Sequence, residues 1–268
     1  MNFKPLQSKS TLITVLVVMI AVSFAFSGCS KGDQTSSITA SVAANATAPF
    51  QEIAKEFEKE TGVKVSLNFG ASGTLATQII NGAPVDFFAS ADVGFLDELA
   101  SKGLLVAGTK HIYARGVLTI WTLKDSKLQV EGLQDLSNLS IKRIAMANPE
   151  RAPYGAAAQQ ALQAVGLWDK LQPKLILGEN VNQTMQYATS GNVDVAIVPL
   201  SLSLSETQNG QYIIVDRQLY GPLDQAMGVI KGSRHEKAAL RFEDFVRGPK
   251  GQAIFKNFGY DIPEKSGE

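Results

Sequence analysis

The chain has 268 residues, of which 45% are hydrophobic, and its formal net charge at pH 7 is zero. This length and composition suffice for a sizeable core, and the lack of a basic block or basic–aromatic stripe excludes a nucleic-acid-binding surface. The single cysteine excludes an intramolecular disulfide and a cysteine-rich metal site.

The N-terminus has the pattern of an export signal. Lys4 and Lys9 precede an apolar run at 11–26, which is of signal-peptide length and short for a membrane span. The run leads directly to Cys29, as in bacterial lipoprotein signals, where the cysteine becomes the lipidated first residue. We therefore expect residues 1–28 to be removed and Cys29 to carry a lipid.

One position in this signal departs from the usual lipoprotein pattern. Phe26 stands three residues before the cysteine, where such signals usually have Leu. Ordinary secretion without a lipid is therefore the alternative. Residues 29–37 are mostly small and polar, and they are predicted to form a tether.

The rest of the chain alternates between strand-like and helical patterns, which predicts an α/β protein. Strands are predicted at 38–43, 63–69, 85–90, 116–121, 142–147, 175–177, 193–198, 212–215 and 227–230, with helices between them and two closing helices. The polar stretch 124–140 separates two series of strand–helix units. We predict two lobes, 38–118 with 225–268, and 119–224; the alternative is one larger doubly wound domain.

The second strand-to-helix turn has the residues of an anion-binding site. The stretch 70–74 contains two glycines, which allow close approach to the unpaired N–H groups of a helix N-terminus, while Ser72 and Thr74 add donors. A similar turn at Asn45 follows the first strand, and parallel strands bring such turns to one edge of a sheet. The alternative is an ordinary turn in which Ser72 caps the helix.

Several short segments, in one order along nearly the whole mature chain, carry a resemblance to a known family. They are Ala43-Ala44-Asn45, Phe69-Gly70-Ala71-Ser72-Gly73, Asn81-Gly82-Ala83-Pro84-Val85-Asp86, Ser90-Ala91-Asp92, Ala147-Asn148-Pro149, Ala152-Pro153-Tyr154-Gly155-Ala156, Gly166-Leu167-Trp168, Gly178-Glu179-Asn180-Val181 and Gly248-Pro249-Lys250. The chain resembles the molybdate-binding proteins of bacterial ABC importers, which are class II periplasmic substrate-binding proteins. The resemblance implies two hinged lobes, each a mixed sheet flanked by helices, with the ligand in the cleft between them.

The resemblance also implies which residues bind the ligand. The implied ligand-binding residues are Ala44, Asn45, Ser72, Gly73, Tyr154 and Val181. Asn45 is expected to supply a side-chain N–H as well as its backbone N–H, and Ser72 its hydroxyl. Some relatives donate a tyrosine hydroxyl where this chain has Pro199, which cannot donate, so the phenol of Tyr154 is a candidate replacement.

The function that the resemblance implies is transport rather than catalysis. The expected protein is a monomeric, lipid-anchored, extracytoplasmic protein that binds molybdate or tungstate and delivers it to the membrane permease, with no cofactor and no direct cation ligands. One alternative is a binding protein for another tetrahedral oxyanion such as sulfate. A secreted hydrolase using Ser72 is a further alternative, but the two histidines, His111 and His235, lie outside the turns that contain Asn45, Ser72, Tyr154 and Val181.

Overall fold

The computed structural model describes residues 37–263. Its strands are β1 (Ser37–Ala43), β2 (Lys64–Gly70), β3 (Phe87–Ser90), β4 (His111–Gly116), β5 (Leu118–Leu123), β6 (Ile144–Ala147), β7 (Leu175–Gly178), β8 (Val195–Pro199), β9 (Gly210–Ile214) and β10 (Leu223–Val229). Its α-helices are α1 (Thr47–Thr61), α2 (Ser72–Ile80), α3 (Val93–Ser101), α4 (Pro153–Ala164), α5 (Trp168–Leu171), α6 (Val181–Thr189), α7 (Leu200–Ser205), α8 (Glu236–Arg247) and α9 (Pro249–Asn257).

The first lobe is built on a mixed sheet with the strand order β2-β1-β3-β10-β4. Strand β1 is parallel to β2 and β3, whereas β10 runs antiparallel to β3 and β4. Helix α1 buries Phe50 and Phe57 on one face and ends at Gly62, whose φ of 71° is the left-handed conformation that glycine adopts readily. These rings pack with those of Phe242 and Phe255 from α8 and α9, so the C-terminal helices belong to this core.

The second lobe is built on a mixed sheet with the order β7-β6-β8-β5-β9. Strands β6, β7 and β8 are parallel, and β5 is antiparallel to β8 and β9. Every residue of β6 and β8 is buried, in keeping with apolar runs covered on both faces. The predicted two-lobed α/β fold is therefore confirmed.

The segment 116–121, predicted as one strand, is divided between the two lobes in the structure. The strand β4 ends at Gly116 in the first sheet, and β5 begins at Leu118 in the second, so Val117 is the point of crossing. A mostly apolar run does not show where hydrogen bonding changes from one sheet to the other. Strand pairing puts Leu118 in the second sheet and Leu223 in the first, whereas the predicted lobe limits placed Leu118 in the first lobe and Leu223 in the second.

The predicted signal peptide, Cys29 and most of the tether lie outside the described residues. Within residues 37–263, no helix combines the length and the apolar character needed to cross a membrane.

Candidate functional site

Four strand-to-helix turns meet at one small cavity between the two sheets. Two follow β1 and β2 of the first lobe, and two follow β6 and β7 of the second. The lining residues are Ala43, Ala44, Asn45, Gly70, Ala71, Ser72, Ala91, Ala152, Pro153, Tyr154, Asn180 and Val181. The tertiary structure thus brings together five of the six predicted binding residues, all except Gly73.

The cavity is small and its lining is uncharged. Its volume, counted as the space that the centre of a water molecule can occupy, is about 10 Å³. This is close to the space that one ordered water needs. None of its lining residues is Asp, Glu, Lys, Arg or His. The cavity therefore suits a compact ligand held by neutral dipoles.

Backbone N–H groups are the main donors at this cavity. Among the hydrogen bonds of residues 37–263, none uses the backbone N–H of Asn45, Ser72, Tyr154 or Val181. Each of these residues lies in the first turn of a helix or 3-10 segment, where N–H groups have no partner within the helix. Their alignment also places the positive ends of the helix dipoles at the cavity, which favours an anion.

Ser72 is positioned to donate its hydroxyl hydrogen. Its Oγ accepts the backbone N–H of Ala91 at 3.0 Å, and Ser72 is only 1% exposed. Because that N–H occupies the acceptor side of the oxygen, the hydroxyl hydrogen remains available for a ligand. The N-cap of α2 is Ala71, with no side-chain cap, so the alternative in which Ser72 caps the helix is wrong.

The side chain of Asn45 points to protein partners rather than to a ligand. Its Nδ2 donates to Oε1 of Gln225 and to the hydroxyl of Tyr260, each at 2.8 Å, which uses both amide hydrogens. The expectation of a side-chain N–H for the ligand therefore has no support here, and Asn45 retains only its backbone N–H.

Gly73 contacts the opposite lobe. Its N–H donates to the carbonyl oxygen of Arg151 at 2.9 Å. A Cβ at this position would lie 3.0 Å from that oxygen and 3.1 Å from Cζ of Phe95. Gly73 does not line the cavity, and an interlobe hydrogen bond already uses its N–H, so the structure gives no support to its predicted ligand-binding role.

Tyr154 reaches the cavity with its backbone and the first lobe with its side chain. Its hydroxyl oxygen accepts a hydrogen bond from Nε2 of Gln225 at 3.1 Å. Burial raises the pKa of the Tyr154 phenol well above its usual value, so the phenol stays protonated at neutral pH. Pro199 ends β8 and does not line the cavity.

Both histidines lie away from this cavity. Nε2 of His111 is 3.1 Å from Glu243, and Nδ1 of His235 is 3.4 Å from Asp86. Ser72 therefore has no histidine beside it that could remove its proton. Within residues 37–263, no group of three or more His, Cys, Asp or Glu side chains is arranged to hold a metal ion.

Sequence reasoning missed the residues that hold Asn45 and Tyr154 in place without lining the cavity. Gln225, Tyr260 and Ser201 bond to Asn45 or Tyr154 but come from distant parts of the chain. No sequence pattern pointed to them: Gln225 lies outside the predicted strand 227–230, and the full burial that makes it need partners is seen only in the structure.

Comparison with known proteins agrees with this geometry. Residues 38–261 match the family model described as bacterial extracellular solute-binding protein. The molybdate-binding protein ModA of Azotobacter vinelandii is 35% identical over 218 residues, which cover 81% of this chain and 86% of that protein. The Bacillus subtilis protein YvgL is 26% identical over 78% of this chain and 80% of its own length. Its name describes it as a putative substrate-binding lipoprotein of an ABC transporter.

A solved structure agrees as well. The periplasmic molybdate-binding protein of Azotobacter vinelandii superposes with a TM-score of 0.81 at 31% identity, covering 85% of this chain and 100% of that chain.

Proposed function

Because this chain belongs to the family of bacterial extracellular solute-binding proteins, we propose that it binds molybdate or tungstate and delivers it to the membrane subunits of an ABC importer. The molybdate-binding names of its relatives at 31–35% identity support the ligand. The protein acts outside the cytoplasm and performs no chemistry on its ligand.

The observation that carries this proposal is the convergence of four free backbone N–H groups and one hydroxyl on an uncharged cavity. A tetrahedral dianion offers acceptor lone pairs on every oxygen. Hydrogen bonds to an ionised acceptor are roughly twice as strong as neutral ones, so dipoles alone can hold the ion. The donors come from both lobes, and the bound anion therefore bridges them.

The same donor set disfavours phosphate. Molybdate, tungstate and sulfate carry no proton near neutral pH, whereas phosphate keeps at least one. That proton needs an acceptor, and none of the lining residues has a carboxylate; Glu150 and Glu179 flank two of the turns but are exposed. A buried polar group facing another donor costs on the order of 1–3 kcal/mol.

Size separates sulfate from molybdate. Sulfate has no proton problem, but it is the smaller ion, so donors spaced for molybdate would reach it through stretched hydrogen bonds. A sulfate-binding protein remains the alternative function. The two functions differ in the order of affinities.

We further propose that Cys29 carries a lipid, that residues 29–37 tether the protein to the membrane, and that it acts as a monomer. The lipoprotein description of the Bacillus subtilis relative supports the anchor. The two lobes then close over the ligand by a hinge at their crossings. A secreted hydrolase using Ser72 has no supporting observation at this cavity.

Competition against bound molybdate at neutral pH, with each oxyanion in excess, tests the ligand. Tungstate should displace molybdate readily, sulfate much more weakly, and phosphate negligibly. Displacement by sulfate as readily as by tungstate would favour the alternative function. Displacement by phosphate at that level would refute a site made only of donors.

A further inference from the structure

The phenol of Tyr154 inserts into a recess of the opposite lobe. Tyr154 belongs to α4 of the second lobe, while its hydroxyl accepts from Gln225 on β10 of the first. The recess exists because residue 116 is glycine: a Cβ there would lie 1.8 Å from the Tyr154 hydroxyl oxygen. Tyr154 is 2% exposed, so this contact is sealed from water when the lobes are closed.

The amide of Gln225 is held in one orientation by its own lobe. Its Oε1 accepts from Nδ2 of Asn45 at 2.8 Å and from the hydroxyl of Tyr113 at 2.9 Å. Because both groups are donors, the amide oxygen of Gln225 must point towards them. The Nε2 of Gln225 therefore faces the second lobe. Gln225 is fully buried, and Tyr154 is the partner that its N–H finds there.

The same network holds Asn45 from both lobes. The carbonyl oxygen of Asn45 accepts from the Tyr260 hydroxyl at 2.7 Å in the first lobe and from Oγ of Ser201 at 2.8 Å in the second. Gln225 thus bonds to the side chains of Asn45 in the first lobe and Tyr154 in the second. The backbone N–H groups of both residues lie at the cavity. None of Gln225, Tyr260 and Ser201 lines the cavity itself.

We propose that Gln225 is a positioning residue: through the Tyr154 phenol it stabilises the closed cleft and so sets ligand affinity without touching the ligand. This inference rests on the proposed function. A ligand that needs the closed state binds with an apparent affinity proportional to the population of that state. When the lobes open, water replaces the bond between Gln225 and Tyr154, so its loss affects the closed state alone.

The variant Tyr154→Phe tests this role because it keeps the backbone N–H and the ring. It leaves Nε2 of Gln225 without a partner in the closed state only, so the Kd for molybdate should rise roughly tenfold. The thermal unfolding of the ligand-free protein should change little. Small-angle scattering at a fixed, subsaturating molybdate concentration should show a larger radius of gyration than wild type.

The matched control is Tyr113→Phe. It removes a buried phenol bonded to the same glutamine at a similar distance, but both partners belong to the first lobe. It should lower the unfolding temperature of the ligand-free protein and change the Kd for molybdate less than about threefold, because Nδ2 of Asn45 still holds the Gln225 amide in its orientation. A merely structural role would make the two variants alike in both measurements.

A second variant, Gly116→Ala, obstructs the recess directly. Its added Cβ would collide with the Tyr154 hydroxyl and lie 2.8 Å from Nε2 of Gln225, so molybdate affinity should fall further than in Tyr154→Phe. Combining it with Tyr154→Leu, which vacates the recess, should cost less than the sum of the two single changes.

The experiments distinguish failure of the positioning role from failure of the proposed function. Equal molybdate Kd values for wild type and Tyr154→Phe, or equal effects of the two Phe variants, would overturn the positioning role alone. Wild-type protein that does not bind molybdate would overturn the proposed function and this inference with it.

Discussion

Ser72→Ala is the sharpest test of the anion site, because Ser72 is the residue whose side chain faces the cavity with a free hydrogen. Its Oγ already accepts from Ala91, which leaves the hydroxyl hydrogen for a ligand oxygen. A hydrogen bond to a charged group contributes roughly 1.5–3 kcal/mol, so the Kd for molybdate should rise about 10- to 150-fold. Titration calorimetry measures this directly.

The same substitution also removes the acceptor of the Ala91 N–H. Ala91 lines the cavity, so in the open, ligand-free protein water can replace that hydrogen bond. We therefore expect the free energy of unfolding without ligand to fall by about 1 kcal/mol at most. Urea unfolding with and without molybdate separates this effect from the loss of binding.

Thr77→Ala is a matched control on the same helix. The Thr77 hydroxyl is exposed and donates to the carbonyl oxygen of Gly73, away from the cavity lining. Its removal should leave the Kd for molybdate unchanged within about twofold. Ser72→Ala protein that binds molybdate as tightly as Thr77→Ala would refute the role of Ser72 as a ligand donor.

Three further predictions follow from the signal sequence, the two lobes and a buried carboxyl group. Cys29→Ser should leave the protein unprocessed or release it from membranes, and an intact mass showing an unlipidated N-terminus in wild type would contradict the anchor. Saturating molybdate should reduce the radius of gyration in small-angle scattering, whereas an unchanged radius would indicate a rigid or permanently closed cleft. Burial raises the pKa of the Glu243 carboxyl from 4.5 to about 7. Between these two pH values the carboxyl is therefore mostly protonated in the folded protein and mostly ionised in the unfolded chain. Stability should therefore fall as the pH rises through this range, by up to about 3 kcal/mol relative to Glu243→Gln in urea unfolding, and a parallel pH dependence in both proteins would contradict this.

The local sequence determined the parts of this protein that depend on neighbouring residues. Alternation of apolar residues at 63–69 predicted β2, and the helix that follows 70–74 was visible from the spacing of its apolar residues. Backbone N–H groups at a helix N-terminus are unpaired whatever surrounds them, so the turns at Asn45 and Ser72 could be identified as donors. The segments shared with the binding-protein family indicated in addition that these turns meet.

Only the tertiary structure decided how individual side chains in those turns are used. The amide of Asn45 bonds to Gln225 and Tyr260, which are 180 and 215 residues away along the chain. The N–H of Gly73 is used by Arg151 of the opposite lobe. Local pattern implies none of these partners, because the Asn45 bonds depend on how distant segments pack within the first lobe, and the Gly73 bond depends on how the two lobes meet.

The break at Val117 has the same physical origin. An apolar run predicts extended, buried backbone, but the sheet that each residue joins is set by its hydrogen-bonding partners, which lie far along the chain. The sequence by itself therefore determined the donors and the fold class. The tertiary structure decided which donors remain free for a ligand, because long-range hydrogen bonds use the others first.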